Sequence, residues 1–124
     1  NEVNEAMTGI GSLSLSLGGL YNDRRTIEAG DWLLDNPLDH DFYRKDNRYH
    51  YTAYYCTQAM AQLGGKYWKE FFPVVAAELV RNQEDEGYWY VGRARDNSFG
   101  EVYFTSLAIL TLTPPYQLLP IYQR

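Results

Sequence analysis

The sequence predicts an all-α protein of stacked helical hairpins, roughly five helices in all, and three observations carry that reading. Segments rich in small residues and Leu, 12–17, 58–63 and 106–112, each end in a pair of helix breakers: Gly18-Gly19, Gly64-Gly65 and Pro114-Pro115. A tyrosine follows each pair (Tyr21, Tyr67, Tyr116), at offsets of 46 and 49 residues. A period of about 40–50 residues with an apolar first half is the mark of helix pairs that stack on their neighbours. Finally, Trp68, Phe71, Phe72, Val75 and Leu79 recur at i, i+3, i+4, i+7 and i+11, the stripe of an amphipathic helix. Convergence of unrelated helix–turn junctions on the same breakers is the alternative to a true repeat.

The elements follow from this punctuation. A first helix spans about Val3 to Leu17. Its Ser-Leu alternation over 12–17 has the period of a strand, but its counterpart around Met60 holds good helix formers without alternation, so it is assigned helical. Gly9, Gly11, Ser12, Ser14 and Ser16 suit it to close packing. A second helix begins after Asn22-Asp23, with Asp23 as cap, and ends before Pro37. Ile27, Gly30 and Leu34 share a face, flanked by Trp32 and Leu33. Residues 38–47 read as a charged connection. A third helix covers Tyr49 to Leu63, and a fourth runs from Lys66 to about Gln83. Pro73 should kink or open that fourth helix, because it lacks an N–H. A polar loop over 84–100 precedes a fifth helix, Glu101 to about Leu112, and a tail carrying Leu118, Leu119 and Ile121. The chain thus reads as one domain over 1–124, with repeat-like units at about 1–47, 48–97 and 98–124.

Composition narrows the function. The net charge of −5 opposes sequence-independent nucleic-acid binding, which needs a dense Lys/Arg surface. One cysteine among 124 residues allows neither an internal disulfide nor a multi-cysteine zinc site. The uncharged run Val102 to Gln123 is long enough for a membrane helix. Pro114-Pro115 interrupts it after about three turns, so a buried helix followed by an extended tail is expected instead, with no transmembrane segment. No targeting segment is visible, and an opening at Asn1 looks like a cut in a longer chain or a processed form.

After the fourth helix stands Gln83-Glu84-Asp85-Glu86-Gly87-Tyr88-Trp89, a Q-x-x-x-G-x-W string. With the hairpin period, with Gly64, Gly65, Tyr67 and Trp68, and with Val102 to Ala108 opening the fifth helix, it resembles the QW repeat of the squalene-cyclase and prenyltransferase repeat superfamily. More narrowly, the chain is similar to uncharacterised squalene-cyclase-like repeat proteins of bacteria. The resemblance implies an α/α toroid, an inner ring of helices around a cavity with an outer ring outside it, of which this chain supplies about half. It further implies that Gln83 bonds backbone groups near a helix end, that Gly87 permits a turn, and that Trp89 stacks on the glutamine.

The chemistry of that superfamily is missing from the residues. There is no D-x-D-D acid, no D-D-x-x-D magnesium motif and no Asp/Cys/His zinc pattern, so no catalytic residue, metal or cofactor is assigned and the chain leans away from being an enzyme. Asp39-His40-Asp41 and Glu84-Asp85-Glu86 read as solvated runs. His50 reads as a surface histidine at a helix start, with a ligand or base role as the alternative. Cys56 shares an apolar stripe with Ala53, Met60 and Leu63 and reads as an inert buried thiol. Gly64-Gly65-Lys66 lacks the rest of a phosphate loop and reads as a helix-ending turn.

Aromatic residues are what remain. Tyr51 and Tyr55 share a stripe with Gln58 and Gln62, and Tyr54 aligns with Tyr103 at the 49-residue offset. In the superfamily, rings lining the cavity face apolar substrates and their carbocations. The other reading is that these tyrosines fill the space between helix layers with their hydroxyls bonded. Three functions follow: a repeat domain that binds an apolar or isoprenoid-like ligand, a helical-repeat interaction scaffold, or a piece of an active terpene cyclase whose acid lies outside this chain. An open half-toroid leaves apolar faces uncovered, which predicts self-association, or cover by the remainder of a longer chain, through helix one or helix five and the tail.

Overall fold

Side chains that satisfy free N–H groups start the first three helices. Asn4 accepts from the Met7 amide at the head of α1 (Glu5–Leu17), Asp23 from the Arg25 amide at α2 (Arg24–Asp35), and Asp39 from the Phe42 amide at α3 (His40–Lys45). α4 (Tyr49–Leu63) and α5 (Gly65–Arg81) meet at Gly64 and Gly65, whose φ of +65° and +52° only glycine adopts freely. α6 (Gly100–Leu112) ends where Pro114–Tyr116 tighten into a 3-10 turn. This computed structural model describes residues 3–46, 48–91 and 99–116, and among them the secondary structure is entirely helical. The tail residues Leu118, Leu119 and Ile121, and 92–98 of the polar loop, lie outside the described residues.

The helices form two layers. α4 packs against α1 on one side and α6 on the other, while α2 packs against α1, α4 and α5, and α5 against α4 and α2. α4 and α6 run in the same direction, since His50 meets Phe104 and Gln58 reaches Leu110. Hairpins α1–α2 and α4–α5 therefore stand side by side, and α6 continues the first layer. Leu33, Leu38, Ala53, Met60, Val75 and Leu79 are fully enclosed between the layers. Burying each such aliphatic side chain is worth about 1.5–3 kcal/mol, so the core outweighs the exposed ion pairs.

Small residues set the closest approaches. A Cβ on Gly9 would lie 2.7 Å from Cys56 Sγ, and the Cys56 thiol donates to the Glu5 carbonyl at 3.2 Å. A Cβ on Gly30 would lie 2.5 Å from Leu63 Cδ1. Beside it, Asp31 accepts from the Tyr67 hydroxyl at 2.8 Å and from Lys66 at 3.2 Å, tying α2 to α5.

Several expectations are corrected. Residues 40–45 are a helix rather than an irregular connection, because Asp39 caps it and Phe42 and Tyr43 pack on the core; the described chain therefore has six α-helices, not five. In α2 the buried residues are Thr26, Gly30 and Leu33, with Ile27, Trp32 and Leu34 partly buried against the core. α5 is not opened at Pro73, which faces solvent, and Trp68 and Phe72 stack on each other at the flank of its buried stripe. α6 is only half buried: Phe104, Ala108 and Thr111 face inward, while Val102 is 81% and Ile109 49% exposed. The tyrosines after the breakers also differ, with Tyr67 buried and Tyr21 and Tyr116 exposed.

Candidate functional site

α4 lies in the middle of its layer and is enclosed on nearly every side. Between Tyr49 and Met60, the residues left partly exposed are Tyr51, Tyr54 and Tyr55. Their spacing of i, i+3 and i+4 puts them on one open face. The structure brings the rings together: Tyr51 and Tyr55 meet edge to face at 4.9 Å, and Tyr54 and Tyr55 at 5.0 Å. Partial burial, with the neighbouring Tyr55, pushes the Tyr54 phenol above its ordinary pKa. Among the described residues none of these three hydroxyls has a hydrogen-bond partner, in contrast to Tyr49, whose hydroxyl donates to the Leu38 carbonyl at 3.0 Å.

Tyr103 belongs to a second aromatic group on α6. It stacks on Phe99 at 4.7 Å and meets Phe104 edge-on at 5.3 Å. Gln58 and Gln62, expected on the tyrosine stripe, are buried instead at 0% and 6% exposure, because neighbouring helices cover those sides of α4. The open face is thus narrower than its sequence stripe.

His50 is not a surface residue. It is 2% exposed, with ring contacts to Tyr43, Tyr49 and Phe104. Burial lowers its pKa to about 4, so it is neutral at neutral pH. Among the described residues neither ring nitrogen has a partner, and Thr57 Oγ1 and Gln58 Oε1 are unpartnered on the same helix. The sequence reading misses this polar group. Its signal was the i, i+7 and i+8 spacing of 50, 57 and 58, which becomes informative only once α6 is known to cover that side.

The other singled-out residues have structural places. Gln83 Nε2 donates to the Gly87 carbonyl at 2.8 Å, and Gly87 takes φ +93° in the turn that follows α5. Trp89 is buried, its indole N–H donates to the Leu79 carbonyl at 2.8 Å, and its amide donates to Thr105 Oγ1 at 3.0 Å. Asp39-His40-Asp41 is not wholly a solvated run: His40 Nδ1 lies 2.9 Å from the carboxylate of Glu78, which is only 3% exposed. Asn82 donates to the same carboxylate oxygen at 2.8 Å. Glu84, Asp85 and Glu86 are exposed. Cys56 is enclosed, and burial raises its thiol pKa far above the range of a reactive thiolate.

No group of three or more His, Cys, Asp or Glu among the described residues is placed to hold a metal ion. A cleft of about 320 Å³ lies between the start of α1, the end of α3 and the start of α4, with Phe42, Lys45, Arg48 and Thr52 in its wall. Its Asp46 is committed to the fold, accepting from the Arg48 amide at 2.8 Å and the Thr52 hydroxyl at 3.0 Å. No described helix is long and apolar enough to cross a membrane.

Fold and site together define a class: an all-helical domain of adjacent helix pairs whose central helix offers a face of contacting tyrosines. Compared with protein-family models, curated proteins and solved structures, the chain matches none of them.

Proposed function

We propose that this chain is a squalene-cyclase-like repeat domain, an arc of an α/α toroid without a catalytic motif of its own, that binds an apolar, isoprenoid-like ligand on the Tyr51–Tyr54–Tyr55 face. The carrying observation is that α4, enclosed elsewhere, leaves open a face made of three contacting aromatic rings. Their partial exposure, with no hydroxyl bond to another described residue, favours a surface role over filling between layers. Such rings offer large apolar area at low entropic cost, and their negative faces favour polarisable or cationic carbon. In the arc, α1, α4 and α6 are the inner helices and α2 and α5 the outer ones.

Titration with farnesene, followed by tyrosine ring NMR signals, tests the reading. Shifts are expected at Tyr51, Tyr54 and Tyr55, and the Tyr51→Ala/Tyr55→Ala double variant should weaken binding about tenfold or more. Absent binding, or binding indifferent to that variant, would sink it.

A second reading, a helical-repeat interaction scaffold, is favoured by a different observation. Val3, Met7 and Leu17 along α1, and Val102, Ile109 and Tyr116 along α6 and its turn, are exposed apolar residues at both ends of the first layer.

A further inference from the structure

α4 carries buried polar atoms that no described residue satisfies, along the side on which His50 and Gln58 meet α6. His50 Nδ1 and Nε2, Thr57 Oγ1 and Gln58 Oε1 are all buried without a partner, at 2%, 0% and 0% exposure of their residues. A neutral imidazole carries one donor and one acceptor, a hydroxyl both, and an amide oxygen accepts. Unmet buried groups are few in folded proteins, because each removes a noticeable part of a small net stability. Three such side chains on one helix therefore point to an occupant.

The placement describes that occupant. His50, Tyr54, Thr57 and Gln58 stand at i, i+4, i+7 and i+8, so the orphaned groups border the tyrosine face through Tyr54. At 1.5 Å rise per residue, His50 and the Thr57–Gln58 pair lie about 10 Å apart along the helix axis. Between them the seam is apolar, walled by the Phe104 ring at 5.3 Å from His50. Neither Lys nor Arg stands among these residues, and the enclosed imidazole is uncharged at neutral pH, so a phosphate or carboxylate has no counter-charge here. α6 is apolar on its outer side as well as its inner side, and its principal helix contact is with α4.

We propose that the α4–α6 seam binds an apolar molecule carrying two uncharged oxygen groups about 10 Å apart, one at His50 and one at Thr57–Gln58, with its carbon frame against Tyr54. This rests on the apolar-ligand reading above and names the ligand's polar chemistry. A hydroxyl at the first position accepts from one imidazole nitrogen or donates to the other. At the second it donates to Gln58 Oε1 and accepts from Thr57.

Octanediol with terminal hydroxyls, whose oxygens span a similar length, is compared with octanol by amide NMR titration. The diol is expected to bind about tenfold tighter than the mono-alcohol. His50→Phe and Gln58→Leu should each bring that ratio close to one. His50→Phe replaces an unmet polar ring by an apolar one, whereas Gln58→Leu also removes the Nε2 bond to the Leu110 carbonyl at 3.3 Å, and circular dichroism checks that both variants fold. Octanol binding that depends on Tyr51 and Tyr55 but shows no preference for the diol overturns this inference alone and marks the seam as water-filled. If neither alcohol perturbs the tyrosine face, the apolar-ligand reading falls with it.

Discussion

His50 couples the fold to pH. Burial holds its pKa at about 4, below the ordinary value of 6.5 that applies in the unfolded chain. Between those values the unfolded state binds the proton and the folded state does not, so stability falls as pH drops from about 6.5 to about 4. A gap of that size corresponds to about 3 kcal/mol. Urea midpoints should decline over this window in the wild type and stay nearly flat in His50→Phe. Asp23 and Asp31, whose pKa values are lowered chiefly by hydrogen bonds from Arg25 and from Tyr67, add their losses only at more acidic pH. Two glycines of α1 offer a second test at this scale. Gly9→Ala forces a Cβ to within 2.7 Å of Cys56 Sγ and 2.9 Å of its backbone nitrogen, and should cost about 1–3 kcal/mol. Gly11→Ala meets nothing within 4 Å and should stabilise by about 0.5–1 kcal/mol. Chemical denaturation of the pair checks both signs. The spacing of small residues in the sequence shows that α1 packs closely, but not which glycine touches a neighbour.

At the scale of elements, the breakers and caps made most helices legible. Asp23, Gly64-Gly65 and Pro114-Pro115 end or begin helices where the sequence reading puts them. α3 escaped because its six residues are too few for a periodic pattern; its stability comes from the Asp39 cap and from His40 against buried Glu78. Trp89 joins two elements, since its indole bonds the end of α5 and its amide bonds α6. Trp89→Phe removes this buried indole bond, while the Leu79 carbonyl keeps the Asn82 amide at 3.1 Å, and should cost about 1 kcal/mol, read as a lower thermal midpoint, with faster hydrogen exchange in α6. The tyrosine face was half legible. Tyr51, Tyr54 and Tyr55 could be picked out by spacing, but Gln58 and Gln62 leave the stripe because α4 is covered from more sides than a two-sided helix pattern can encode.

For the whole molecule, the two ends of the first layer decide behaviour in solution. α1 and α6 each carry exposed apolar residues, and neither Asp, Glu, Lys nor Arg occurs in 6–22 or 102–116. Sedimentation should show association that rises with concentration, and Val102→Glu with Ile109→Glu should shift it toward monomer. A wild type that stays monomeric at high concentration would contradict the expectation.

The sequence by itself determined the helical class, the position of most helix ends and the identity of the aromatic residues, because capping, breaking and 3.6-residue periodicity act over a few neighbours. Only the tertiary structure decided which side of each helix is covered. That placed His50, Thr57 and Gln58 inside and left Tyr51, Tyr54 and Tyr55 partly open, since burial is a property of what packs against a helix and not of the helix alone.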